Sequence, residues 1–167
     1  MADDLVYLAV LFVHVASVLG FFMVHGISIG IVLQLRKERE RERIRALLSL
    51  SSASVGGIHM FLLLVIATGL ALGFIGPWSR FWWFWSSFLL FFGLGIGMHF
   101  YGTRYYDRIR SAVGVKPFYK VKENQADPNL TPEQLGALLT SSRPLVLTAV
   151  GLLGLMVILW LMMYKPF

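Results

Sequence analysis

Cysteine is absent from the 167 residues, which excludes disulfides, thiolate nucleophiles and cysteine-ligated iron–sulfur or zinc sites. Charge is scarce as well. Asp, Glu, Lys and Arg make up 14% of the chain, and none falls within the hydrocarbon-spanning parts of its four long apolar runs. Without an intramembrane carboxylate or an interrupted apolar run, proton pumps and secondary transporters are poor fits. A cleavable signal is not expected either. The opening MADD is acidic, and the first apolar run is longer than a signal h-region.

What the chain does have is apolar length. Hydrophobic residues are 57% of the total, mean hydropathy is +0.70, and four runs reach the roughly 20 residues that span a bilayer. The expected class is all-α: a polytopic membrane protein with a four-transmembrane-helix up-down bundle. The spans are placed at residues 4–35, 53–75, 81–106 and 144–164, with loops at 36–52 and 107–143. The net charge of +6 does not read as a nucleic-acid footprint. Of fifteen Lys and Arg, all but Arg80 and Lys165 lie between runs one and two or between runs three and four. That distribution puts both loops in the cytoplasm and both termini outside, with the lipid bilayer as the main partner. Tyr7, Trp78, Trp82, Trp83, Trp85, Trp160 and Tyr164 would form the outer aromatic belt, and Tyr101, Tyr105 and Tyr106 the inner one.

Helix one is expected to continue past Leu35 into a charged extension. There Arg36 with Glu40, Glu38 with Arg41 and Glu42 with Arg45 have helical spacing, each pair adding about 0.2–0.5 kcal/mol. Ser51, Ser52, Ser54, Gly56 and Gly57 read as the turn into helix two. Gly76-Pro77-Trp78-Ser79-Arg80 is short enough to make helices two and three antiparallel neighbours. Gly93, Gly95 and Gly97 lie inside an apolar helix and read either as a close-packing surface or as room beside His99 for a flat macrocycle. In the second loop, Pro117, Asp127-Pro128 and Pro132 are breaks. Thr131-Pro132-Glu133-Gln134 then predicts a capped amphipathic helix through Leu139.

The hydrocarbon-spanning parts, free of Asp, Glu, Lys and Arg, carry four histidines. His14 and His25 are eleven residues apart, nearly on one helix face and about 16 Å apart along the axis. Counting about 1.5 Å per residue from each midpoint puts His25, His59 and His99 in one layer on the cytoplasmic side, with His14 alone in the outer layer. Imidazoles from separate helices at one depth suggest a metal or haem site. In an up-down bundle, helices one and three are diagonal, so His25 and His99 are the first-choice axial pair, with His59 and His99 as the alternative. His59 would otherwise bond a propionate or a quinone. Arg36, Lys37 and Arg104 are placed to neutralise propionates. For His14, the readings are a hydrogen bond to Ser or Thr of a neighbouring helix, ligation with Met156, or a site completed by a second copy in a homo-oligomer. Met23, Met60 and Met98 near the histidines raise copper as another cargo.

His14 followed by Gly20, the His25-Gly26 pair, and the later single histidines His59 and His99 resemble the CopD-like group of small four-helix membrane proteins, which includes the HemJ-type porphyrinogen oxidases. The resemblance covers the four-helix core and implies b-type haem or copper in a bacterial inner membrane. The HemJ oxidases are associated with an intramembrane Lys or Arg that this chain lacks. The expected function is therefore a bis-histidine haem b cytochrome passing electrons between a redox partner and membrane quinone. A copper-handling protein and a cofactor-free membrane subunit or assembly factor are the alternatives.

Overall fold

From Asp4 to Leu35 the chain has no proline, and in hydrocarbon every backbone N–H and C=O must be paired within its own segment. A long helix is the result. The computed structural model describes residues 2–119 and 130–166. It contains α1 (Ala2–Leu35), α2 (Arg41–Ile75), a 3-10 turn (Trp78–Arg80), α3 (Trp82–Ala112), α4 (Pro132–Leu139) and α5 (Arg143–Tyr164). Four stretches are long and apolar enough to cross a membrane, the last counted from Pro132 to Tyr164. The protein is an all-α, four-helix membrane bundle. The expected break at Asp127-Pro128 lies outside the described residues.

The first loop differs from expectation. Helix one stops at Leu35, and helix two begins at Arg41 rather than near residue 53. The Glu38 carboxylate accepts the amide N–H groups of Arg39 (2.9 Å) and Glu40 (3.1 Å), which holds the chain in a turn. Beyond it, Ile44 and Leu48 are fully buried one helical turn apart. Together they contribute on the order of 3–6 kcal/mol by burial, far more than any surface pair. The serines do not break this helix, because Ser52 and Ser54 return their hydroxyls to the carbonyls of Leu48 and Leu50. Gly57 sits where a Cβ would meet Val24 of α1 at 3.3 Å, so it is a packing residue. Of the three expected charge pairs, Glu42–Arg45 forms (2.7 Å). Glu40 instead pairs with Arg43 (2.8 Å), and Arg36 donates to the Ser141 carbonyl.

The helices pair as two hairpins. α1 packs along α2 and α3 along α5, whereas α2 and α3 share few close backbone approaches. Glycines on α2 and α5 set the approaches that do occur. A Cβ on Gly73 would overlap the Phe84 ring, one on Gly151 would overlap Met98, and one on Gly154 would overlap Leu94.

The two ends of the bundle are tied and the middle is loosely filled. At the basic end, Ile44, Leu48, Tyr105, Ile109, Leu135 and Leu139 are part of a buried cluster. Arg41 donates to the carbonyls of Ala112 and Leu130, and Arg45 to that of Val113, placing cations on the C-terminal carbonyls of α3. α4 starts with the expected capping box between Thr131 and Gln134, and its Leu138 carbonyl accepts the Tyr105 hydroxyl at 2.6 Å. At the opposite end Trp83, Phe84 and Leu161 are buried. Trp78 Nε1 donates to the Tyr7 hydroxyl at 3.1 Å, and Lys165 Nζ lies 3.6 Å from the Trp78 ring centroid. Trp82, Trp85, Trp160, Tyr164 and Tyr101 are exposed, as belt residues should be, but Trp83 and Tyr105 are buried and do not belong to the belts. Between the ends, large apolar side chains such as Phe12, Leu63, Leu89 and Leu153 face outward. That distribution suits a lipid surround.

Candidate functional site: two cavities in the seam between hairpins

Where the hairpins face each other, two cavities lie one above the other, each with one histidine of α1 in its wall. The outer cavity, of about 80 Å³, is lined by His14, Phe21, Val65, Gly69, Phe88 and Met162, among others, so all four membrane helices contribute. The inner cavity, of about 230 Å³, is lined by His25, Ser51, Met98, Tyr106, Arg110 and Thr148, among others. Both α1 histidines therefore face the seam, as their eleven-residue spacing requires.

His14 is buried, with 8% of its surface exposed. Its Nδ1 lies 2.8 Å from Thr68 Oγ1, the neighbouring-helix hydroxyl that its position anticipated. Thr68 has one hydroxyl proton and directs it to the Leu64 carbonyl at 2.5 Å. The network thus assigns the imidazole proton to Nδ1, donated to Thr68, and a lone pair to Nε2. A hydrogen bond that fixes the far nitrogen in this way is how proteins orient an imidazole for a ligand. The ring rests against Gly69, where a Cβ would come within 3.3 Å of His14 Cε1. Met156, proposed as its partner, is exposed and is not among the lining residues; Met162 of the same helix is.

His25 is half-buried and stacked on Phe21, with centroids 5.6 Å apart and planes 9° from parallel. His99 is exposed, and its ring packs edge-on against Phe100 and Tyr119. It shares its helix face with Thr103, Tyr106 and Arg110, four, seven and eleven residues on, all of which line the inner cavity. His59 is exposed and donates Nδ1–H to the Val55 carbonyl at 2.8 Å. The expected layer of three imidazoles does not close into one cluster. Among the described residues no group of three His, Asp or Glu gathers to hold a metal ion. Met23 and Met60, the copper candidates beside these histidines, are exposed; only Met98 reaches a cavity wall.

The expected propionate partners are also elsewhere. Arg36 is bound to Ser141, and Arg104 lies 5.7 Å from the Phe100 ring, in a separate pocket with Arg108 and Arg143. The cation on the inner cavity is Arg110, which sequence reasoning missed although it lies eleven residues from His99 on the same face. Arg110 is 2% exposed. Its Nη2 donates to the Leu48 carbonyl (2.8 Å) and to Ser52 Oγ, its Nη1 to the Lys116 carbonyl (3.3 Å), and its guanidinium covers Phe118. Its Nε–H is buried with no partner among the described residues. Nearby Asp107 accepts the amides of Phe118 (2.8 Å) and Tyr119 (3.0 Å). An unpaired buried donor on a charged group costs about 1–3 kcal/mol or more, so the Arg110 guanidinium is held in the wall of the inner cavity with one donor unsatisfied.

Compared with family models, curated proteins and solved structures, the chain matches none.

Proposed function

We propose that the protein is a small membrane redox subunit that seats a b-type haem in the inner cavity and a quinol headgroup in the outer one. The carrying observation is that a buried arginine, Arg110, shares the wall of one cavity with His25. The donor chemistry suits the group. His25 stands in the wall of this cavity; His99, exposed and outside that wall, would complete the pair by turning its ring from Tyr119 into the seam, and Arg110 would hold a propionate. Bound there, haem b would supply one-electron chemistry. The chain's own part is to orient the imidazoles, neutralise the acid group and keep water out with Met98, Tyr106 and the surrounding apolar side chains.

The outer cavity supports the second half of the reading. No cation lines it, so it has nothing to balance porphyrin carboxylates, and its free space is about a third of the inner cavity's. A single ring fits better. Nε2 of His14 presents a lone pair and so accepts a hydroxyl proton, which a quinol offers and a quinone does not.

The optical spectrum of the purified protein tests the proposal. We expect a Soret band with sharp reduced α and β bands, lost in His25→Ala and His99→Ala and retained in His14→Ala. A wild-type spectrum that survives His99→Ala would refute the pairing. Colourless protein with stoichiometric copper would favour metal handling, and colourless metal-free protein an assembly or docking role.

A further inference from the structure

Gly93 and Gly97 are not explained by helix packing: a Cβ built on either meets nothing within 4 Å. They lie in a groove of about 590 Å³ formed by α3 and α5 alone, with Leu89, Leu94, Leu147 and Val150 among its walls. No residue of α1 or α2 lines the groove, which shares Met98 and Leu147 with the inner cavity. From Ser86 to Tyr101 it runs about 22 Å along α3, longer than the roughly 15 Å of one leaflet's hydrocarbon. Tyr101 also lines a second pocket, of about 490 Å³, where Arg104, Arg108 and Arg143 converge with Phe100 and Tyr105. Groove and pocket therefore adjoin at Tyr101, the first apolar along the helices and the second cationic at the basic end.

We infer that this surface is a seat for one anionic phospholipid, its acyl chain in the glycine-floored groove and its phosphate among the three arginines. Charge complementarity selects the occupant. Three guanidinium groups meet here with no acidic residue in the described lining. Arg104 and Arg108 project from one face at a four-residue spacing, and Arg143 opens α5. The exposed ring of Tyr101 stands where groove and pocket meet, at the depth aromatic residues favour in a bilayer. A soluble phosphate would use only the cationic half. A phospholipid uses both, and basic pockets between membrane helices recognise such headgroups.

Native mass spectrometry of the purified protein, equilibrated with phosphatidylglycerol and phosphatidylcholine of identical acyl chains, tests the inference. Wild-type protein should retain phosphatidylglycerol in clear preference, a comparison that needs no variant. Arg104→Gln should lower that retention about fivefold, the share of one surface cation. Gly97→Leu, with all three arginines intact, should reduce retention by filling the groove. Equal retention of the two lipids, unchanged retention in Gly97→Leu, or displacement of bound lipid by inorganic phosphate would each overturn the inference.

Discussion

His14 is held by the Thr68 hydroxyl of α2. Because the Thr68 hydroxyl is directed to Leu64, the imidazole proton is held on Nδ1 and the Nε2 lone pair is kept available. Thr68→Val keeps the shape and removes the acceptor. We expect quinol affinity to fall about tenfold, the equivalent of one net hydrogen bond, as measured by quinol quenching of tryptophan emission. Unchanged affinity would mean that His14 does not depend on this tautomer. Glu38 has a different dependence. The amides of Glu40 and Arg39 hold its carboxyl below the ordinary carboxylate range. With the folded value depressed, its support for the turn is complete above the unfolded value of about 4.3 and fades as pH falls through the folded value. Amide protection at Arg39 and Glu40 should therefore drop in acid, and Glu38→Gln should remove that pH dependence.

At the scale of elements, α2 does most to join the parts. Its first two turns bring Arg41 and Arg45 to the end of α3 while burying Ile44 and Leu48 against both hairpins and α4. Leu48→Ala should cost about 2–5 kcal/mol, read as a lowered midpoint of thermal unfolding. A loss well below 1 kcal/mol would show that this cluster is not a principal core. The same element shows where composition misleads. A Ser- and Gly-rich stretch marks a turn in water, where freed carbonyls are solvated. In an apolar surround the serine hydroxyls close back on the helix and the glycines admit a neighbour.

For the molecule as a whole, stability is concentrated at the two ends and binding space lies between them. The basic end is held by the arginine contacts and by α4. The opposite end is held by Trp78, Trp83 and Lys165, whose ammonium sits on the Trp78 face. Lys165→Met should loosen that end by about 0.5–1 kcal/mol, visible as altered tryptophan emission and a small fall in melting temperature. The inner-cavity spectrum should be unaffected. A lost haem spectrum in this variant would mean that the ends and the seam are not separable.

Span number, helical class and the α4 cap were legible in the sequence because each rests on local chemistry: apolar length against bilayer thickness, and a threonine three residues before a glutamine. So was the shared face of His14 and His25, since a single helix carries both. Which imidazoles and cations meet across helices was not legible. Depth along an axis follows from counting residues, but the lateral placement of one helix against another depends on side-chain fit that no single segment contains. For that reason only the tertiary structure set Arg110, rather than Arg36 or Arg104, in the same cavity wall as His25, turned the His99 ring toward Tyr119, and paired α3 with α5 instead of α2.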